Sequence, residues 1–561
     1  MTSDLGLLRD GVRLAMLGLA ALCLGLAFRT RRPQFLLLLA LGGSALAWAL
    51  TMAPLQRLYA LGPSSDRLGN VGLCQVVASG NSPLETVQVG QLHFEPFWGV
   101  LTAVLSGWSP DRLLALYPWL SLAAAWGVAL AVYGGLGGRS AEGTPVFSPW
   151  ERALAALFAA LLWSSPLDFS GSYRDPWGMT VLLKPNHTLG FVVAPLFLRY
   201  FAGVRGWKGR VVAGLVLHVL AWVFVIHMAY VALGLCLFAA ESLWRRRPEA
   251  RGDLRDVVTA IVVNALAVSP YLVMLLVGYP FTKRMAVMTI PAISPHLLET
   301  TARAGFLFAL AVWGAVATAR RGRTGRLWVA QLVAAQIVWA GYLLLHLVQL
   351  ARERDEVVYW ARFFIAVLAA LGAWDLATRA ARSWPRLLAL PHARAVAIAL
   401  LLLPFMEPCW LDPPLMDDYV PASLRPVPPV FAETGEFLRH HTDPRAVVAG
   451  DIDVARWASA LGARRVLLSR GFHPPFDADE RERLQDLLAN GTDAVAIRAL
   501  AARWNVHYFV VTPAFLAQHA PATLEALQAR PHFRLVHRSG DERAYVALLQ
   551  IEPDGGLAGA P

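Results

Sequence analysis

Basic tracts at residues 29–32, 205–210, 245–255, 320–326 and 379–394 fall between almost every second pair of long apolar runs. Lys and Arg in short loops stay on the cytoplasmic side of a bilayer, so tracts spaced in this way mark one side and consign the alternate loops to the other. The loops on that other side are the longer ones. They carry most of the loop carboxylates and, with them, everything after Trp410. The pattern predicts that any chemistry is run on the outer face.

At 56% hydrophobic and 16% charged residues, with a mean hydropathy of +0.48, the 561-residue chain has too few charges to cover a soluble globule. The formal charge of +11 sits largely in the juxtamembrane tracts, which fits orientation and contact with anionic membrane lipid better than nucleic acid. Four cysteines make no disulfide framework and no CxxC or metal-type cluster. Cys23 and Cys236 lie in apolar runs, whereas Cys74 and Cys409 both fall on the expected outer side and could pair. The start of the chain, with Asp4, Arg9, Asp10 and Arg13, lacks the cationic head and cleavage site of a signal peptide and reads as the first retained span.

Apolar runs at 12–28, 34–53, 113–133, 152–165, 188–200, 257–277, 305–319, 327–350, 359–377 and 395–410 are candidate spans. The run 211–243 is too long for one helix and is bounded by basic tracts on both sides, so it reads as a hairpin of two. The expectation is an all-α polytopic membrane bundle of roughly 12 transmembrane helices over residues 1–410, with both chain ends outside. Two outer loops stand out, 54–112 and 166–187. In the first, Phe94, Phe97, Trp98, Leu101, Val104, Leu105 and Trp108 recur at helical spacing within 93–108, which predicts a helix lying along the bilayer rather than a span. After a Pro-rich stretch at 413–429 the pattern alternates. Strands are expected at 446–450, 465–468, 506–512 and near Phe533 and Tyr545, with helices at 454–461, 479–488 and 493–504. That alternation predicts a small α/β domain over 411–561, placed outside the cytoplasm, with a disordered tail from Pro553.

Asp66, in SSDRLGN, follows an apolar run by some ten residues in the first outer loop and is a candidate general base for a hydroxyl; a turn or cap role beside Arg67 is the bland alternative. Glu95, in HFEP, is a second candidate that could equally cap a helix or face solvent. In the second loop, Asp175 within SYRDPWG is an acidic candidate or a turn residue, while Arg174, Lys184 and His187 (the last two in KPNH) bring positive or protonatable groups to the outer boundary. Such cations suit a lipid phosphate, or merely anchor the next helix. Arg362 falls inside an apolar run and must find a partner or snorkel. His227, in VIHMAY at the apex of the expected hairpin, is either a substrate contact or a hydrogen-bonded structural group. The sequons at Asn186 and Asn490 are weak matches.

This layout resembles the GT-C superfamily of integral membrane glycosyltransferases. The likeness lies in an Asp in a long first outer loop with an interfacial helix, a second Asp in the next outer loop, basic residues at the outer boundary and a C-terminal domain outside. The runs GDIDVARWASALGARRVLLS and WNVHYFVVT look like the tail domains of bacterial members. Two features depart from the family pattern: an extra helix precedes the usual first one, and the first loop reads SSD rather than an acidic pair.

The resemblance implies an enzyme of a bacterial inner membrane that transfers a sugar, with inversion, from a polyprenyl-phosphate donor. Asp66 would be the base, Asp175 an assisting or metal-binding carboxylate, and Arg174, Lys184 and Arg362 the phosphate ligands. Mg²⁺ or Mn²⁺ would suit Asp66 and Asp175 as a pair. The competing expectations are a transporter or flippase of a lipid-linked or anionic solute, and a membrane scaffold without catalysis.

Overall fold

The computed structural model describes residues 2–51, 66–92, 95–138, 144–161, 185–204, 206–278, 295–347, 355–384, 390–402, 429–469, 477–519 and 523–552. As far as it is described, every expected span falls on a helix. In chain order these are α1 (Thr2–Arg29), α2 (Gln34–Thr51), then two loop helices, α3 (Asp66–Ala78) and α4 (Pro96–Leu105). The bundle continues with α5 (Pro110–Gly135), α6 (Pro149–Leu161), α7 (Pro185–Ala202), α8 (Gly206–Val223), α9 (Val225–Trp244) and α10 (Ala250–Gly278). It closes with α11 (Pro295–Ala319), α12 (Gly322–Leu347), α13 (Asp355–Ser383) and α14 (Pro391–Leu402). Among the described residues, four helices are long and apolar enough to cross a membrane: Pro110–Gly135, Val225–Trp244, Ala250–Val277 and Trp360–Ser383. The expected hairpin is present, broken at Phe224, whose extended backbone (φ −167°, ψ 115°) separates α8 from α9.

Two expectations change in detail. The helix expected over 93–108 is the ten-residue α4, about 15 Å long and half of what a span needs. It ends because Gly107 (φ 64°) and Trp108 (φ 57°) both turn into the left-handed region ahead of Pro110. Its outward side keeps Val104, Leu105 and Trp108 exposed, as a helix lying in a membrane interface would.

The C-terminal domain has three layers. Its sheet runs β2 (Arg465–Val466), β1 (Val447–Gly450), β3 (Val506–Val511), β5 (Tyr545–Ile551), β4 (Phe533–Gly540), with β2, β1 and β3 parallel and β5 antiparallel to both neighbours. Strand residues alternate between faces, and both faces are apolar. Val448, Val466, Val510, Val546 and Leu548 pack towards α15 (Pro429–His441) and α16 (Ile452–Ala460). Val447, Ala449, Phe509, Val511 and Leu549 share the opposite core with α17 (Ala478–Asn490) and α18 (Ala494–Arg503). The strand expected at 465–468 is only two residues long, since residues from the first loop take over its outer edge, as described below.

The basic tracts gather at one end of the bundle. Arg210 pairs with Asp256 at 2.5 Å, and Arg323 reaches Asp256 at 2.8 Å and Asp253 at 3.4 Å. Arg326 bridges Asp253 and Glu241, each at 3.3 Å, while Arg321 holds Glu151 at 2.6 Å. Arg394 lies over the Trp374 ring, and His392 meets Phe35, just after the first tract, at 4.8 Å. Helix α5 fixes the polarity. Asp111, in its first turn, pairs with Arg439 of α15 at 2.6 Å, while just past its last turn Gly138 lies against Thr324 of the fourth tract. A 26-residue helix is about 39 Å long, so the sheet domain and the basic tracts sit at opposite ends of the bundle.

Candidate functional site

Opposite the basic end, three features assemble around the residues singled out in the sequence. The first is α3, which opens at Asp66. Asp66, for which the sequence leaves open a general base or a turn or cap role, stands on the first turn of this helix, and the rest of the helix is gripped by the sheet domain. Gly72 meets α16 so closely that a Cβ there would lie 2.9 Å from the Ser459 Cβ. Ser79 Oγ donates to the Ala463 carbonyl at 3.2 Å, and Asn81 Nδ2 to that of Pro444 at 3.0 Å. Beyond α3 the first loop adds its own backbone to the exposed edge of β2: Val466 N–H donates to Val87 O at 2.9 Å and Val89 N–H to Val466 O at 3.1 Å. Covering a strand edge in this way satisfies backbone groups that would otherwise invite another chain. Arg465 pairs with Glu85, and Gln88 accepts from the Ser469 N–H at 3.1 Å. Cys74, expected as a possible disulfide partner, is a free thiol; burial pushes its pKa up to about 12, against a hydrogen bond from Thr102. Cys409 lies outside the described residues.

The second feature is the meeting of α7, α9 and α13 near their N-terminal ends. His227, the third residue of α9, is 1% exposed and sits among Phe191 of α7 (4.9 Å between ring centroids), Phe224 (4.8 Å) and Trp360 of α13 (4.8 Å). The ring fits because residue 190 is glycine: a Cβ there would stand 1.7 Å from His227 Nδ1. Arg362, half-buried, is two residues past Trp360, and His187 lies in the first turn of α7, one turn before Phe191. All three helices run towards the basic end: α9 reaches Glu241, α13 reaches Asp375 and Arg379, and Arg199 in the last turn of α7 donates to Gly134 O at 3.1 Å. Their N-termini therefore point together at the other end, where peptide dipoles favour an anion.

The third feature is Glu95. It is 3% exposed and precedes α4 without a side-chain capping bond, so it neither faces solvent nor caps. It lies close enough to Tyr271 of α10 for their charges to interact. α4 itself packs on α3, α5, α7 and α8, which ties the first loop to the hairpin. Leu189 of α7 packs against both the bundle core and the core shared by α3 and the sheet domain.

The structure thus places His227 where α7, α9 and α13 meet, with the backbone of His187 in the first turn of α7 and Arg362 in the second turn of α13, and sets Glu95 at the start of the adjoining loop helix. Arg174, Asp175 and Lys184 lie outside the described residues, as do the side chains of Asp66 and His187. Among the described residues no group of three or more His, Cys, Asp or Glu side chains could hold a metal ion. A cavity of about 530 Å³, lined by Leu196, Arg199, Tyr200, Gly203, Val204 and Gly209, belongs to the basic end and not to this site. Several residues at the site carried no sequence signal of their own: Gly190 and Trp360 around the histidine, Tyr271 beside Glu95, and Gly72, Ser459, Glu85 and Arg465 at the domain contact.

Helices crossing a bilayer, a loop helix too short to cross it and an α/β domain seated on that loop define a multi-pass membrane protein with one elaborated end. Among solved structures, the fold is similar to the oligosaccharyltransferase of Archaeoglobus fulgidus in its apo form, at 14% identity over 86% of this chain and 70% of that one, with a TM-score of 0.47. It is likewise similar to ArnT from Cupriavidus metallidurans in the apo state, at 13% identity over 90% of this chain and 98% of that one, again with a TM-score of 0.47. The archaeal enzyme AglB in complex with an inhibitory peptide and a dolichol-phosphate gives 14% identity over 87% and 70%, with a TM-score of 0.45. At such values the likeness assigns no residue a role here. No protein-family model and no curated protein matches the sequence.

Proposed function

We propose that the chain is a membrane glycosyltransferase that moves a sugar from a polyprenyl-phosphate donor to an acceptor hydroxyl at the end of the bundle bearing the sheet domain, which lies outside the cytoplasm. The observation that supports this most is the juxtaposition of two unlike devices at that end. The N-termini of α7, α9 and α13 converge around His227, and their peptide dipoles suit a phosphate, to which His187 in the first turn of α7 and Arg362 near the start of α13 would add their side chains. Beside them the sheet domain holds the helix that starts at Asp66. Arg174 and Lys184 would add charge to the phosphate side, and Asp175 would assist Asp66.

In the reaction the acceptor O–H gives its proton to the Asp66 carboxylate, and its oxygen attacks the anomeric carbon. The bond from that carbon to the phosphate oxygen breaks, and polyprenyl phosphate leaves with the electron pair, so the anomeric configuration inverts. Fixed positive groups around the departing phosphate stabilise charge that grows only as the bond breaks, which is where electrostatic catalysis acts most strongly. Asp66 and Asp175 are the carboxylates that would hold a divalent ion, which would supply positive charge towards the departing phosphate.

Asp66→Asn tests the assignment, since it keeps shape and capping ability but removes the base. The purified variant should bind a polyprenyl-phosphate sugar as the wild type does while transferring it at least about 100-fold more slowly. Transfer within a few-fold of wild type would falsify the role of Asp66. A wild type that carries intact donor across the bilayer without cleaving it would make the protein a transporter.

A further inference from the structure

Tyr271 is 4% exposed, and no described group forms a hydrogen bond with its hydroxyl. A buried hydroxyl left without a partner destabilises a fold, whereas Phe would fill the same space at no such cost. Three observations give it a setting. Its ring stacks on Trp222 of α8, with centroids 4.8 Å apart and planes 17° from parallel, and the Trp222 indole stays partly open. Trp222 is held in turn by its Nε1–H, which donates to His218 Nε2 at 3.0 Å. Glu95, 3% exposed at the start of α4, is near enough for its charge to act on Tyr271, and α4 packs on α8, the helix that carries Trp222.

We infer that Tyr271, Glu95 and the Trp222 indole form the subsite for the sugar of the lipid-linked donor, a reading that rests on the proposed function. The chemistry selects the ligand. A carboxylate accepts hydrogen bonds from hydroxyls and repels a phosphate, so the subsite takes the uncharged, hydroxyl-bearing part of the donor and leaves the phosphate to the cationic cluster of α7, α9 and α13. The Tyr271 hydroxyl supplies a donor for a sugar oxygen. The part of the Trp222 side chain left open offers an apolar surface to the C–H side of a pyranose ring. Filling such a site with a hydroxyl-bearing ligand gives the Tyr271 hydroxyl the partner it lacks among the described residues, and discrimination by hydrogen bonding is strong for that reason.

The test uses the full-length protein in nanodiscs and two classes of probe, bare polyprenyl phosphate and a panel of polyprenyl-phosphate hexoses. The tightest hexose conjugate serves as the reference. Tyr271→Phe should weaken that conjugate about tenfold or more, leave bare polyprenyl phosphate within about twofold, and keep or raise the melting temperature. Glu95→Gln should show the same selective loss. Unchanged affinity for the conjugate in Tyr271→Phe overturns the inference, and so does an equal loss for both probes, which would mark a structural or phosphate-directed role. If the wild type transfers sugar while Tyr271→Phe is indifferent, this subsite alone is wrong; if the wild type binds no conjugate better than the bare lipid and transfers nothing, the glycosyltransferase reading falls with it.

Discussion

His227 owes its place to a residue that has no side chain. With a Cβ at position 190 only 1.7 Å from its Nδ1, the imidazole could not stay between Phe191, Phe224 and Trp360. Gly190→Ala should therefore displace the ring and cost about 1 to 3 kcal/mol, the usual penalty for overpacking a close-packed core. The loss should be visible as a lower melting temperature together with slower sugar transfer. Adding His227→Ala should restore much of the stability, because the clash then has no second partner, and a double variant whose losses merely add would sink this account. The sequence identified His227 as an unusual group at the apex of a hairpin but carried no sign of its cage. Its rings come from positions 191, 224 and 360, and no local periodicity links residues so far apart. Glu95 shows the same limit: HFEP reads as a helix start, and only the arrival of α10 reveals the carboxylate as buried beside Tyr271.

Among the elements, the contact between α3 and α16 has the clearest mechanical meaning. α3 was not legible as a helix because Gly69 and Gly72 interrupt a short apolar pattern, and glycine weakens a helix interior by about 1 kcal/mol relative to alanine. Tertiary packing supplies what propensity lacks, since Val71, Leu73, Cys74 and Val77 are buried with Val454, Ala455 and Ala458. The long spans and the strands at 447–450, 506–511 and 545–551 were readable because each repeats one pattern over many residues. Gly72→Val would put two methyl groups where the Ser459 Cβ and Val87 Cγ1 already sit, within 2.9 and 3.3 Å of a Cβ at that position. The sheet domain should then lift from the loop, and limited proteolysis after His441 should cut the variant faster than the wild type. Transfer should slow at saturating donor while donor affinity holds, because α3 positions Asp66 and not the phosphate ligands. Equal protease resistance in the two proteins would mean that the contact does not hold the domain in place.

For the whole molecule, the two ends can be told apart without any membrane. Residues from all five tracts or their flanks meet around Glu151, Glu241, Asp253, Asp256 and Trp374, and Trp207, Trp244 and Trp384 stand exposed nearby in sequence, as indoles at a bilayer boundary do. Most of these arginines are neutralised by carboxylates of neighbouring helices, so the tracts also serve as interhelical ties, and removing one partner of such a buried pair is costly. Pairing does not cancel their effect on orientation, because insertion follows the Lys and Arg of each short loop and Asp and Glu count little. Since α5 places the sheet domain at the far end, orientation of the tracts towards the cytoplasm places Asp66, Glu95 and the domain outside together. Alkaline phosphatase joined after Pro561 should be active and a fluorescent protein joined there dark, whereas the same reporters placed after Arg321, between α11 and α12, should give the reverse. A fluorescent signal from the fusion at Pro561 would turn the molecule over, put the acceptor in the cytoplasm and remove the argument for an outer-face donor.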